Sequence, residues 1–118
     1  MTQVTFYKSG DIYYGFEMKG HTGFGDAGTD ILCSALSAMT MLIINAIEVA
    51  YASDVDYQID EETTDIRLIA PSALRDKDEK KRYAVAGLIM AYFYQLTDLT
   101  EEYYDFLSVD VVERPMEG

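Results

Sequence analysis

Residues 30–52 read DILCSALSAMTMLIINAIEVAYA, and the fold turns on what this stretch can be. Its apolar run, 35–52, is broken by Ser37, Thr40, Asn45 and Glu48, which predicts a buried core helix and argues against a membrane span. A single polar stripe runs through Ser34, Ser37, Asn45 and Glu48, and the rest of the surface is apolar almost all round. Met39, Met41, Ile43 and Ile44 point in several directions, so such a helix has to be covered on more than one side. One sheet covers one side. A second helix or a second subunit must supply the rest.

Outward toward the N-terminus, residues 4–8 and 12–19 read as two strands joined by a hairpin at Ser9-Gly10-Asp11. The second alternates cleanly, with Ile12, Tyr14, Phe16 and Met18 against Tyr13, Gly15, Glu17 and Lys19. Between this hairpin and the helix lie Gly20, Gly23, Gly25 and Gly28, a density that reads as a mobile loop, with Thr29 or Asp30 as the helix N-cap. Toward the C-terminus, residues 55–60 and 65–70 form a second alternating pair turning at 61–64, and Pro71 ends it. A second helix spans 76–96 and opens on a charged turn. A last strand covers 106–112, and 114–118 reads as a frayed tail. The order β-β-α-β-β-α-β predicts an α+β fold: a mixed β-sheet carrying two helices, in a single domain over 1–118.

Bulk composition agrees. The chain has 118 residues, 49% of them apolar, which suits one folded domain and excludes a disordered chain. A single cysteine rules out an intramolecular disulfide, and the N-terminus reads without a signal peptide, so a reducing cytoplasmic home is the expectation. The net charge of −12 argues against direct nucleic-acid binding and suits either a basic partner or plain solubility.

One cluster holds the ingredients of a reaction. His21 is the only histidine and Cys33 the only cysteine, one where a strand ends and the other in the expected first turn of the helix. A thiol there feels the positive end of the helix dipole, an imidazolium beside it favours the thiolate, and unpaired N–H groups of that turn suit an oxyanion. The plainer reading is that Cys33 is a small buried hydrophobe and His21 a strand-end residue bonded to loop backbone. One His and one Cys fall short of a zinc ligand set, so no metal is expected, and no P-loop Lys accompanies the glycines. No cofactor is implied.

The run Gly20-His21, then Gly28-Thr29-Asp30-Ile31-Leu32-Cys33-Ser34-Ala35, resembles the signature of the ribosomal-processing cysteine protease (Prp) family. That signature is a Gly-His, a short variable loop, Gly-x-Asp-Ile-x-Cys and a small-residue helix. The resemblance implies a cytosolic homodimer that removes the N-terminal extension of a large-subunit ribosomal protein during ribosome assembly. It makes Cys33 the nucleophile, His21 its base, and Gly20 and Gly28 the glycines bounding the loop. Asp30 matches the Asp of the motif and either caps the helix or orients His21. Two rivals stand beside this: a dimeric, non-enzymatic ribosome-associated assembly factor with an inert Cys33, and another thiol enzyme acting on small molecules.

Overall fold

The computed structural model describes residues 1–20, 27–60, 62–63 and 65–116, with residues 27–30 through their backbone alone. Strands β1 (Thr2–Ser9) and β2 (Ile12–Lys19) form the first hairpin, followed by helix α1 (Ala27–Asn45). After α1, Ala46–Ala50 continue as one π-helical turn. Then come β3 (Asp56–Ile59), β4 (Ile66–Ile69), the short helix α2 (Ser72–Arg75), helix α3 (Glu79–Leu99) and β5 (Leu107–Glu113). The five strands make one sheet in the order β3-β4-β2-β1-β5. Only the β1–β5 pairing is parallel, so the sheet is mixed and the fold is α+β, as the sequence implies.

The first hairpin closes at Gly10, whose φ of +61° is a left-handed conformation that glycine adopts without steric cost. Farther along, a bulge shifts the register at Tyr7/Lys8, so Tyr14 is the extra residue of β2 between the Tyr7–Gly15 and Lys8–Tyr13 pairs. The strict alternation expected of β2 therefore breaks: Tyr13, Phe16 and Met18 join the core on the helix side, while Tyr14 stacks on Tyr7 at 6.3 Å.

Core formation follows from that face. Phe6 and Phe16 are fully buried and meet Tyr92 of α3 edge-on at 6.0 and 5.3 Å. Burial of side chains this size stabilises by roughly 1.5–3 kcal/mol each, which makes this contact a principal clamp between sheet and helix. Val85, Ile89 and Leu96 continue the α3 stripe, one turn apart. Asp78 caps that helix by accepting the Lys80 N–H at 2.9 Å. The cap moves the helix start past the expected 76, because Asp76 instead takes the Asp78 N–H in the turn before it.

Helix α1 buries Leu32, Cys33, Leu36, Thr40, Ile43 and Ile44, a 3.6-period stripe that Ile47 of the π-helical turn extends. By length and composition Ile31–Ala50 would be able to cross a bilayer, yet this stripe faces the protein's own core. Ile43 and Ile44, expected to point outward in part, are core residues, while Ile31, Met41, Leu42 and Val49 are exposed.

Two sequence expectations change here. Pro71 does not merely end β4, since it leads straight into α2, whose Ala73 is buried in the core. The segment after β5 is also no loose tail up to Met116. The Arg114 N–H donates to the Lys8 carbonyl at 2.9 Å, and its guanidinium sits 5.4 Å over the Tyr7 ring. Its carbonyl accepts from the Tyr14 hydroxyl at 2.6 Å, and Met116 packs against the core. This extension covers two tyrosines on the sheet face away from α1 and α3.

Candidate active site

Cys33 lies in the seventh residue of α1, counted from Ala27, and is 6% exposed. The helix begins before the expected cap, so Thr29 and Asp30 are helical residues of the first turn and Cys33 falls in the second. The reason is local: the glycine-rich stretch was read as loop through Gly28, but Ala27 and Gly28 already have helical backbone. Gly28 is therefore inside the helix and does not bound a loop. Helix-dipole help at Cys33 is weaker than the sequence suggested, since that field falls off within the first turn.

The helix segment around Cys33 is pinned from behind. Leu32 and Leu36 flank it and are fully or almost fully buried. The Tyr92 hydroxyl donates to the Leu36 carbonyl at 3.1 Å, and the Thr40 hydroxyl lies 2.9 Å from the Tyr92 oxygen and 3.9 Å from the Met18 sulfur. This node ties α1 to α3 and β2 one turn beyond the thiol. Burial pushes the Tyr92 phenol well above its ordinary range, so it stays a neutral donor. Helical spacing makes Tyr92 one more position on the apolar face of α3. Its hydroxyl, paired with a threonine on another helix, leaves no mark in the spacing.

Gly20, the residue before His21, ends β2 with a φ of +74°. A Cβ built there would stand 2.5 Å from the Met1 carbonyl oxygen, so both conformation and space require glycine. Its N–H donates to Asp65 Oδ1 at 3.3 Å, tying the start of the next segment to the β3–β4 turn. That turn is itself closed by Asp60, whose carboxylate accepts the N–H groups of Thr63 and Glu62 at 3.1 and 2.9 Å. These bonds hold its pKa below the usual carboxylate range. His21 lies outside the described residues, and so does the Asp30 side chain. Of the expected site, the structure thus places Cys33, Gly20 and the backbone of Gly28 and Asp30. Among the described residues, no three His, Cys, Asp or Glu side chains lie together as metal ligands would.

The family model described as "Cysteine protease Prp" matches residues 1–108. Among solved structures, the chain is similar to SMU.848 from Streptococcus mutans, with 31% identity, 97% of this chain and 99% of that one covered, and a TM-score of 0.80. It shares its fold with an essential ribosomal processing protease Prp from S. aureus, solved in complex with a substrate peptide. There the identity is 18%, the coverage 95% of this chain and 100% of that one, and the TM-score 0.78. The same S. aureus protein with a covalently linked product peptide aligns at 19% identity and a TM-score of 0.75, with the same coverage of each chain. No curated protein sequence matches the chain.

Proposed function

Because this chain belongs to the cysteine protease Prp family, we propose that it is an endopeptidase that removes the N-terminal extension of a large-subunit ribosomal protein, with Cys33 as nucleophile and His21 as its acid and base. The observation that carries this reading is the family match itself, which spans both residues. The placement of the sole cysteine on a helix anchored by Tyr92 supports it.

In the proposed reaction, His21 takes the Cys33 proton and the thiolate sulfur attacks the scissile carbonyl. The C–N bond then breaks, and His21 returns the proton to the leaving amine. Water, deprotonated by His21, attacks the thioester; the acid product leaves and Cys33 recovers its proton. In this reading Asp30, a backbone-helical residue of the first turn of α1, orients His21 in the manner of a triad's third member.

The protein acts as a homodimer in this reading. Support comes from the exposed apolar side chains Ile31, Met41 and Leu42 on α1 and Val49 on the turn that continues it, which the protein's own sheet and helices leave uncovered. A cytoplasmic setting follows from the substrate.

The test is intact-mass analysis of the extended ribosomal protein after incubation with the wild-type chain and with Cys33→Ala. A single N-terminal truncation by the wild type alone supports the protease and assigns the nucleophile. An intact substrate with both, given folded and reduced protein, refutes it. One observation favours a second reading, a dimeric ribosome-associated assembly factor with an inert thiol: Cys33 is only 6% exposed, and burial in apolar surroundings disfavours a thiolate.

A further inference from the structure

The β3 strand forms one edge of the sheet, with β4 on one side and, among the described residues, no strand on the other. Its ladder with β4 is antiparallel, pairing Asp56 with Ile69, Tyr57 with Leu68, Gln58 with Arg67 and Ile59 with Ile66. Just beyond it, the Asp60 N–H donates to the Asp65 carbonyl at 2.9 Å, which fixes the phase of the ladder. In an antiparallel pair, bonded positions alternate, so residues 56, 58 and 60 turn their N–H and C=O toward β4. Tyr57 and Ile59 turn theirs outward. These two residues present two donors and two acceptors along the open edge, and their side chains are 42% and 44% exposed.

An open edge attracts any extended chain, and charge decides which one it admits. From Gly20 to Ile66 the sequence has no lysine or arginine. Asp54, Asp56, Asp60 and Glu62 are all exposed along or beside β3, and Asp60 is held ionised by its turn. Arg67, level with Gln58 on β4, has its Nε engaged 3.5 Å from Glu17 on β2. Carboxylates at this density repel an acidic or identical strand and draw a basic one. The edge also ends level with the exit of β2: Ile59 is level with Ile66, Ile66 with Met18, and Asp65 holds the N–H of Gly20.

We infer that the β3 edge is the docking strand for the substrate, taking a basic, extended segment of the ribosomal protein as an added strand bonded to the main chain of Tyr57 and Ile59. The inference rests on the protease reading above and deepens it. Main-chain bonds give affinity to an extended chain of any sequence, and the acidic flank selects a basic one. Binding at this edge holds the peptide extended as it approaches Cys33.

Amide hydrogen exchange on the full-length Cys33→Ala chain tests this, with and without a saturating synthetic peptide spanning the extension junction. The wild-type chain is assayed for cleavage of the same peptide in parallel. The expected result is cleavage by the wild type, and exchange at Tyr57 and Ile59 slowed by about tenfold or more on binding. Amides at Gln58 and Asp60, already bonded to β4, change far less. Cleavage and binding with unaltered exchange at Tyr57 and Ile59 overturn the docking strand while leaving the protease intact. Absence of cleavage by folded, reduced wild type removes the protease reading and this inference with it.

Discussion

At Cys33, two demands meet on one side chain. Cys33 is buried between Leu32 and Leu36, while attack on a peptide requires the charged thiolate, so a neighbouring cation has to stabilise that charge. His21 is the sole histidine and Cys33 the sole cysteine, which is why the sequence singles out both as candidates. The sequence singles out Asp30 as a candidate but not the helix start before it, which is set by two residues of weak local signal, Ala27 and Gly28. With the helix beginning at Ala27, Asp30→Asn is expected to lower kcat at least tenfold and to change stability by less than about 1 kcal/mol, the size of a first-turn dipole effect. Turnover and denaturant melts on one preparation check both. Tyr92 gives a pH prediction. Burial raises its folded pKa above the usual phenol value of about 10, so its stabilising contribution is complete below about pH 10 and is lost as the pH rises beyond that, where the unfolded chain ionises first. Denaturant midpoints should therefore fall above pH 10, and Tyr92→Phe should flatten that fall.

Among the elements, β2 was readable to the residue, Ile12–Lys19, because its ends are marked by a glycine turn and a glycine exit. The π-helical turn after α1 and the four-residue α2 were not, since neither carries a period long enough to register. The buried face of α1 was equally hidden: with apolar residues nearly all round, only the partners on β2 and α3 decide that Ile44 is core and Leu42 is not. Gly15 shows how closely the strands approach at the bulge. A Cβ there would stand 2.5 Å from the Leu68 carbonyl oxygen and 2.8 Å from the Ile69 side chain. Gly15→Ala is expected to cost roughly 1–3 kcal/mol by forcing β2 and β4 apart, read as a lowered denaturant midpoint at unchanged slope.

Across the whole molecule, the α+β class and the mixed sheet were legible because strand and helix periods alternate along the chain, and the strand order was not, because it depends on pairings between distant segments. β1 sits beside β5 over one hundred positions away, joined in parallel from Thr2↔Leu107 to Lys8↔Glu113. The same pairing carries the C-terminal residues onto Tyr7 and Tyr14, so a segment that reads as a tail becomes cover. The exposed apolar face of α1 predicts self-association: sedimentation should show a dimer, and Leu42→Glu should yield a folded monomer. A concentration-independent wild-type monomer would oppose the dimer.

The central claim is that Cys33 and His21 act as one nucleophilic pair, and the alkylation rate of Cys33 by iodoacetamide as a function of pH tests it most directly. The pair predicts rapid modification at about pH 6–7, where an ordinary thiol of pKa ~8.5 is mostly protonated, and a loss of about tenfold or more in His21→Ala. A slow rate that rises only above about pH 8 and is indifferent to His21→Ala would contradict the pair and leave Cys33 a core residue.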